Sequence, residues 1–171
     1  MLCKGLHHAA YRCADAKETV DFYTTVLGLK FFHATGADRV PSTNTYSPHI
    51  HIFLQMEDGS CIAFFELTNE KGTVSGRDPE TPVWVQHFAF RVKDMESLLR
   101  AKANLTEKGI DVLGPVNHEN FVHSIYFFDP SGHRLELCVQ SATPEMLREF
   151  EHSAADILNR WTEHHSWEVG K

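Results

Sequence analysis

The sequence predicts an α+β fold built from two copies of one β-α-β-β-β unit, with a further helix at the end. Three observations carry that expectation. The phrase L-H-H-A-A-Y-R-C-A-D at 6–15 returns as V-Q-H-F-A-F-R-V-K-D at 85–94, so His8/His87, Ala10/Ala89, Arg12/Arg91 and Asp15/Asp94 match at one offset. Each phrase is answered later by an apolar strand carrying one acid, C-I-A-F-F-E-L-T with Glu66 and H-R-L-E-L-C-V with Glu136. The stretch 69–82 between the copies is rich in Gly, Pro and charge, the composition of a join. One domain is therefore expected over 1–143, with modules at 5–69 and 83–141, followed by a helix and tail over 144–171.

The elements follow in order. Residues 6–13 alternate like a half-buried strand. Asp15 offers an N-cap with Glu18 three residues on, Val20, Tyr23 and Leu27 follow at helical spacing, and Gly28 ends that helix. Strands are expected at 29–34, 49–56 and 60–68, with an E-D-G turn between the last two. The Pro/Ser/Thr segment V-P-S-T-N-T-Y-S-P is long enough to act as a lid. In the second copy a strand at 84–92 leads to a helix capped by Asp94, carrying Leu98, Leu99 and Leu105, and ending at Gly109. Strands at 110–113, 121–128 and 133–140 complete it, with Gly114-Pro115 closing the first and Asp129-Pro130-Ser131-Gly132 turning between the others. After Pro144, Leu147, Phe150, Ala154, Ile157 and Trp161 recur at three- and four-residue steps, one apolar stripe suited to packing on the sheet or on a second subunit.

Bulk composition narrows the function. A 171-residue chain with 42% hydrophobic residues can bury a substantial core. A formal charge of −7 leaves no basic stripe for a nucleic acid. No apolar leader and no run of about 18 apolar residues is present, so no membrane segment is expected. The four cysteines (Cys3, Cys13, Cys61, Cys138) lack C-x-x-C spacing and read as free thiols of a reducing, cytoplasmic setting. Twelve histidines are the compositional excess.

Strand alternation assigns directions to those histidines. Phe88, Phe90 and Val92 suit packing under a helix, so His87, Ala89 and Arg91 take the other face, as His8, Ala10 and Arg12 do in the first copy. Leu135, Leu137 and Val139 are expected on the core side, with Arg134, Glu136 and Cys138 opposite. Ile50, Ile52 and Leu54 likewise turn His49, His51, Phe53 and Gln55 toward a pocket. A carboxylate buried in an apolar strand costs several kcal/mol unless a cation or donor meets it. One histidine and one glutamate per copy outline a divalent-metal site with His8, Glu66, His87 and Glu136 as ligands. His7 is expected on the opposite face from His8, and His33, His133 and His152 read as structural or exposed.

At these residues the chain resembles the vicinal oxygen chelate superfamily, the glyoxalase/bleomycin-resistance/extradiol-dioxygenase group. L-H-H-A-A-Y-R-C-A-D with V-D-F-Y-T-T-V-L-G-L-K-F is similar to that family's module opening, and Y-F-F-D-P-S-G-H-R-L-E-L to its module ending. The resemblance implies modules whose sheets curl around a metal cavity, one ion (Fe, Mn, Ni, Zn or Co) chelating vicinal oxygens of a small substrate, and a homodimer. It implies a glyoxalase-type lyase or isomerase in which Glu136 or Glu66 moves protons and Arg12 grips a carboxylate. An extradiol-type dioxygenase on Fe(II) is the alternative, using His8, His87 and Glu136, with His118, His51 and Tyr126 as acid-base groups. A non-catalytic binding protein of the bleomycin-resistance kind is a third reading. The expected pocket edge is Arg12, His51, Arg91, His118 and Tyr126.

Overall fold

A computed structural model describes residues 2–68 and 78–167. The elements are β1 (His8–Arg12), α1 (Ala16–Thr25), β2 (Lys30–Arg39), β3 (Tyr46–Gln55), β4 (Cys61–Leu67), β5 (His87–Arg91), α2 (Met95–Glu107), β6 (Leu113–His118), β7 (Val122–Phe128), β8 (Arg134–Gln140) and α3 (Pro144–His164). The α+β class, the two β-α-β-β-β modules and the terminal helix are all present. Most of the expected join at 69–82 lies outside the described residues. Among the described residues no helix is long and apolar enough to cross a membrane.

Each module is one four-stranded sheet, ordered β1-β4-β3-β2 and β5-β8-β7-β6. The first strand of each runs parallel to the last, as a strand entering a crossover helix must, and the others are antiparallel. The Asp15 carboxylate accepts from the Glu18 N–H at 2.8 Å, and Asp94 accepts from the Ser97 N–H at 2.8 Å, so each repeated Asp starts its helix. Gly28 and Gly109, both with φ above +70°, let the chain leave those helices.

The helix-facing sides of both sheets share one core. Tyr23, Ile52, Leu54, Ile62 and Phe64 of the first module join Leu98, Leu105, Ile125, Phe127, Leu135 and Leu137 of the second. Each fully buried side chain of this size contributes about 1.5–3 kcal/mol. Polar contacts pin the junction: the Tyr23 hydroxyl donates to Asp129 at 3.0 Å, and the His133 N–H donates to the same carboxylate at 2.8 Å. The His133 ring meets the Arg12 carbonyl at 2.7 Å, and the Ala14 N–H donates to the Ser131 hydroxyl at 3.1 Å. His133 is thus structural. Burial pushes the Asp129 carboxyl above its usual value against the pull of His133, and burial beside Asp129 raises the Tyr23 phenol further.

Two expectations need correction. The segment expected to form a lid is a short hairpin loop instead: β2 extends to Arg39, β3 starts at Tyr46, and Val40 and Thr45 close the turn at 2.9 Å. A register shift between Ala37 and Arg39 absorbs the irregularity beside Pro48. Likewise β6 runs from Leu113 to His118, straight through the Gly114-Pro115 pair expected to end it. Proline is tolerated because β6 is the sheet edge, and the register shifts between Leu113 and Val116. Gly114 is required there: its φ is +104°, and a Cβ would lie 2.6 Å from the Ser124 carbonyl oxygen.

Candidate metal centre

The second module assembles a polar cluster on its open face. Ile125 and Phe127 are buried in the core, so Ser124 and Tyr126 take the opposite side of β7, and Leu135 and Leu137 do the same for Glu136 on β8. Register sets Ala89, Glu136 and Tyr126 side by side across β5, β8 and β7. Ala89 is small enough to leave the space above it open. The Glu136 side chain is 6% exposed, with one oxygen bonded by the Ser124 hydroxyl and the other 2.9 Å from His87 Nε2. His87 Nδ1 lies 3.1 Å from the Val85 carbonyl, which holds the ring proton there and leaves Nε2 as an electron-pair donor. An imidazole lone pair and a buried carboxylate facing each other at 2.9 Å require a proton or a cation at that point.

Next to that pair lies an acid-base couple. His118 Nε2 is 2.8 Å from the Tyr126 hydroxyl, and the Arg134 guanidinium sits 4.0 Å over the Tyr126 ring. Burial raises the Tyr126 phenol above its usual range, with the Glu136 charge adding to the rise and Arg134 opposing it. The phenol therefore keeps its proton at neutral pH. The longer β6 is what carries His118 to this position. Ser124 and Arg134 are absent from the expected site; the signal for both was alternation, since they share faces with Tyr126 and Glu136.

The first module holds the other imidazoles. His8 meets the rings of His51 at 6.0 Å and Phe53 at 5.4 Å, and His51 stacks on Phe65 at 3.7 Å. Burial lowers the His51 pKa, with His8, His49 and His33 adding to the effect, so its ring is neutral. Its Nε2 is buried without a hydrogen-bond partner among the described residues. His7 differs from expectation: it precedes β1, and its Nδ1 lies 2.8 Å from His8 Nδ1 rather than across the sheet. Arg12 is half-buried on the His8 strand face.

Glu66 and Arg91 are placed elsewhere. Register sets Ala63 opposite Ala10, just as Glu136 stands opposite Ala89, so the first module has alanine where the second has its carboxylate. Glu66 follows Ile62 and Phe64 on the helix side, and its carboxylate accepts from the Ala16 N–H at 2.7 Å, bonding the start of α1. Arg91 lines a cavity of about 590 Å³ between the modules, with Asp58, Leu29 and Leu137, none of them an expected ligand. Among the described residues no three His, Cys, Asp or Glu side chains converge as a metal group within the chain. The structure brings His87 and Glu136 together; it does not bring His8 or Glu66 to them.

Comparisons with known proteins agree with this arrangement of modules. The glyoxalase/bleomycin resistance protein/dioxygenase superfamily matches residues 5–137. A lactoylglutathione lyase of Arabidopsis thaliana is 30% identical over 81% of this chain and 45% of its own length, so the chain spans about half of that relative. An integron cassette protein from the Halifax Harbour sewage metagenome has a similar structure, with TM-score 0.56 and 29% identity over 80% of this chain and 99% of its own. A fosfomycin resistance protein, FosX, of Listeria monocytogenes, solved with Mn(II) and sulfate, shares the fold at TM-score 0.56 and 20% identity, covering 84% and 97% of the two chains. With its two modules, its repeated His-x-Ala-x-Arg strands and a family match over most of its length, this chain belongs to the glyoxalase/bleomycin resistance protein/dioxygenase superfamily.

Proposed function

We propose that the chain is a divalent-metal-dependent enzyme acting on a small substrate with adjacent oxygens, by lyase- or isomerase-type proton transfer. The observation that supports it most is the His87–Glu136 pair, an electron-pair donor and a buried carboxylate at 2.9 Å. The donor set fits an Fe, Mn, Ni, Zn or Co ion. His87 and Glu136 hold it from one chain, and His8 completes the set from a second copy. The His8 face and the His87 face both lie outside the joined core, with the central Ala10 and Ala89 exposed on them. A symmetric pair of chains brings unlike faces together twice, forming two sites.

When bound, the ion polarises the substrate's oxygens as a Lewis acid. The chain's own groups do the rest. Tyr126 presents its phenolic proton to a substrate oxygen, and His118 Nε2 exchanges that proton at 2.8 Å. Arg134 over the ring favours the partial negative charge that the phenol oxygen gains as the proton leaves. Arg12 offers its charge to a substrate carboxylate. The neutral His51, seated among Phe53 and Phe65, excludes water and orients the substrate.

One observation favours a second reading. With the Glu66 carboxylate bonded to the start of α1, the donors reduce to two imidazoles and one carboxylate, the set used for Fe(II) ring-cleaving dioxygenases. Elemental analysis followed by a screen of thioester-adduct, epoxide and catechol substrates decides between them. Oxygen-independent turnover supports the lyase or isomerase reading. Oxygen uptake with catechols and Fe(II) replaces it, and a protein that cannot be loaded with any of the five ions is a binding protein instead.

A further inference from the structure

Ser124 is a polar residue sealed inside the sheet that carries the candidate metal donors. It is fully buried, on the same face of β7 as Tyr126. Register pairs Ser124 with Cys138 and Tyr126 with Glu136, so Ser124 and Glu136 are diagonal neighbours across β7 and β8. With no exposed surface, the serine hydroxyl must find its partner inside the protein, and it donates to Glu136 Oε1. It also lies beside the Tyr126 phenol and partly offsets the rise in that group's pKa. A hydroxyl has one proton to give, and the charged carboxylate is the stronger acceptor of the two.

The internal repeat shows the same association from the other side. The first module has Ala63 where the second has Glu136, Phe53 where the second has Tyr126, and His51 where the second has Ser124. The carboxylate and its donor occur together in one module and are both missing from the other. Size matters as well: the ring of His51 at the matching place stacks on Phe65 at 3.7 Å, whereas serine leaves room for a glutamate beside it. The Ser124 backbone is also held, with Val116 of β6 opposite it and Gly114 packed against its carbonyl oxygen.

We infer that Ser124 is a positioning residue, which occupies Oε1 of Glu136 so that the carboxylate offers the ion a single oxygen, Oε2, on the side of His87. The inference rests on the proposed metal-dependent function. Oε2 lies 2.9 Å from His87 Nε2, so the two electron-pair donors point at one place. A carboxylate free to turn can present both oxygens to an ion and fill two coordination positions. Held by the serine, it fills one and leaves the other for an oxygen of the substrate. A substrate with adjacent oxygens needs two open positions, and a glutamate limited to one oxygen suits it. Ser124 itself touches neither ion nor substrate in this role.

Cobalt(II) titration of the full chain tests it, with Ser124→Ala and Ser124→Thr beside the parent. Ser124→Ala removes the donor, and its cobalt dissociation constant should rise about 10–100-fold. The visible absorption of the bound cobalt should change too, because the second carboxylate oxygen is then free to join it. Ser124→Thr keeps the hydroxyl and should return both readings to those of the parent. An unchanged constant in Ser124→Ala, a weaker one with an unchanged spectrum, or no rescue by folded Ser124→Thr overturns the assignment. Crystal structures of the metal-free parent and Ser124→Ala give a reading that needs no ion. The parent should keep Oε2 at 2.9 Å from His87 Nε2, and in the variant that contact should open beyond hydrogen-bond reach. The same contact in both overturns the positioning role. A parent that binds no cobalt overturns the proposed function instead, and the metal-free structures still decide what places Glu136.

Discussion

At the scale of single residues, two glutamates that look alike in sequence do different work because of where their strands place them. Glu136 stands opposite Ala89, beside Tyr126 and against His87, whereas Glu66 is three positions beyond the equivalent place, which Ala63 occupies. Counting the acids per copy showed one each; it could not show the register between strands that decides which face an acid takes. Changing His87→Ala or Glu136→Ala should reduce bound metal below about a tenth of the parent value while the protein stays folded. Glu66→Ala should bind the parent amount, and lose about 1 kcal/mol of stability with the bond to the start of α1. Elemental analysis and thermal denaturation of the three variants check both statements. Tyr126→Phe should retain the ion and lose roughly 10²-fold in turnover, measured on the first substrate the screen yields.

At the scale of elements, the caps and core faces were legible because they depend on local rules. Asp15 and Asp94 start their helices, Gly28 and Gly109 end them, and the expected core sides of β7 and β8 are buried. The edge strand β6 was not, because its glycine and proline read as a stop. Only the sheet order shows that this proline is on an edge where its missing N–H has no consequence. Since Gly114 lies against the Ser124 carbonyl and has its own carbonyl bonded by Lys102, Gly114→Ala should shift β6. His118 would then move away from Tyr126, and the Gly114→Ala variant should show both a lower melting temperature and slower turnover. A destabilised protein with full turnover per folded molecule would contradict that link.

The junction between modules has a pH signature. Burial raises the Asp129 carboxyl above its ordinary value of 3.8, so between that value and the higher folded one the folded chain retains a proton that the unfolded chain has released. Stability from this group is present below 3.8 and is lost as pH rises through the higher folded value. Asp129→Asn should flatten that part of the stability–pH curve. Tyr23→Phe removes a hydrogen bond from the same carboxylate and should cost roughly 1–3 kcal/mol at neutral pH. Denaturant titrations across the acid range measure both.

At the scale of the whole molecule, the repeat announced two modules but not which of their sides join. Sheet faces follow from alternation along one strand; the pairing of faces depends on contacts such as Tyr23 with Asp129 and Phe64 with Phe88, more than twenty residues apart in sequence. Those contacts bury the helix sides and leave His8 on one open face and His87 with Glu136 on another. Under the proposed function the metal centre is thereby completed between two chains. Mixing His8→Ala protein with Glu136→Ala protein, after partial unfolding and reassembly, tests this most directly. Each variant alone should be nearly metal-free, and the mixture should regain roughly a quarter of the parent metal, because half the dimers are mixed and each carries one intact site. No recovery on mixing, with mixed dimers present by mass, would contradict a site shared between chains.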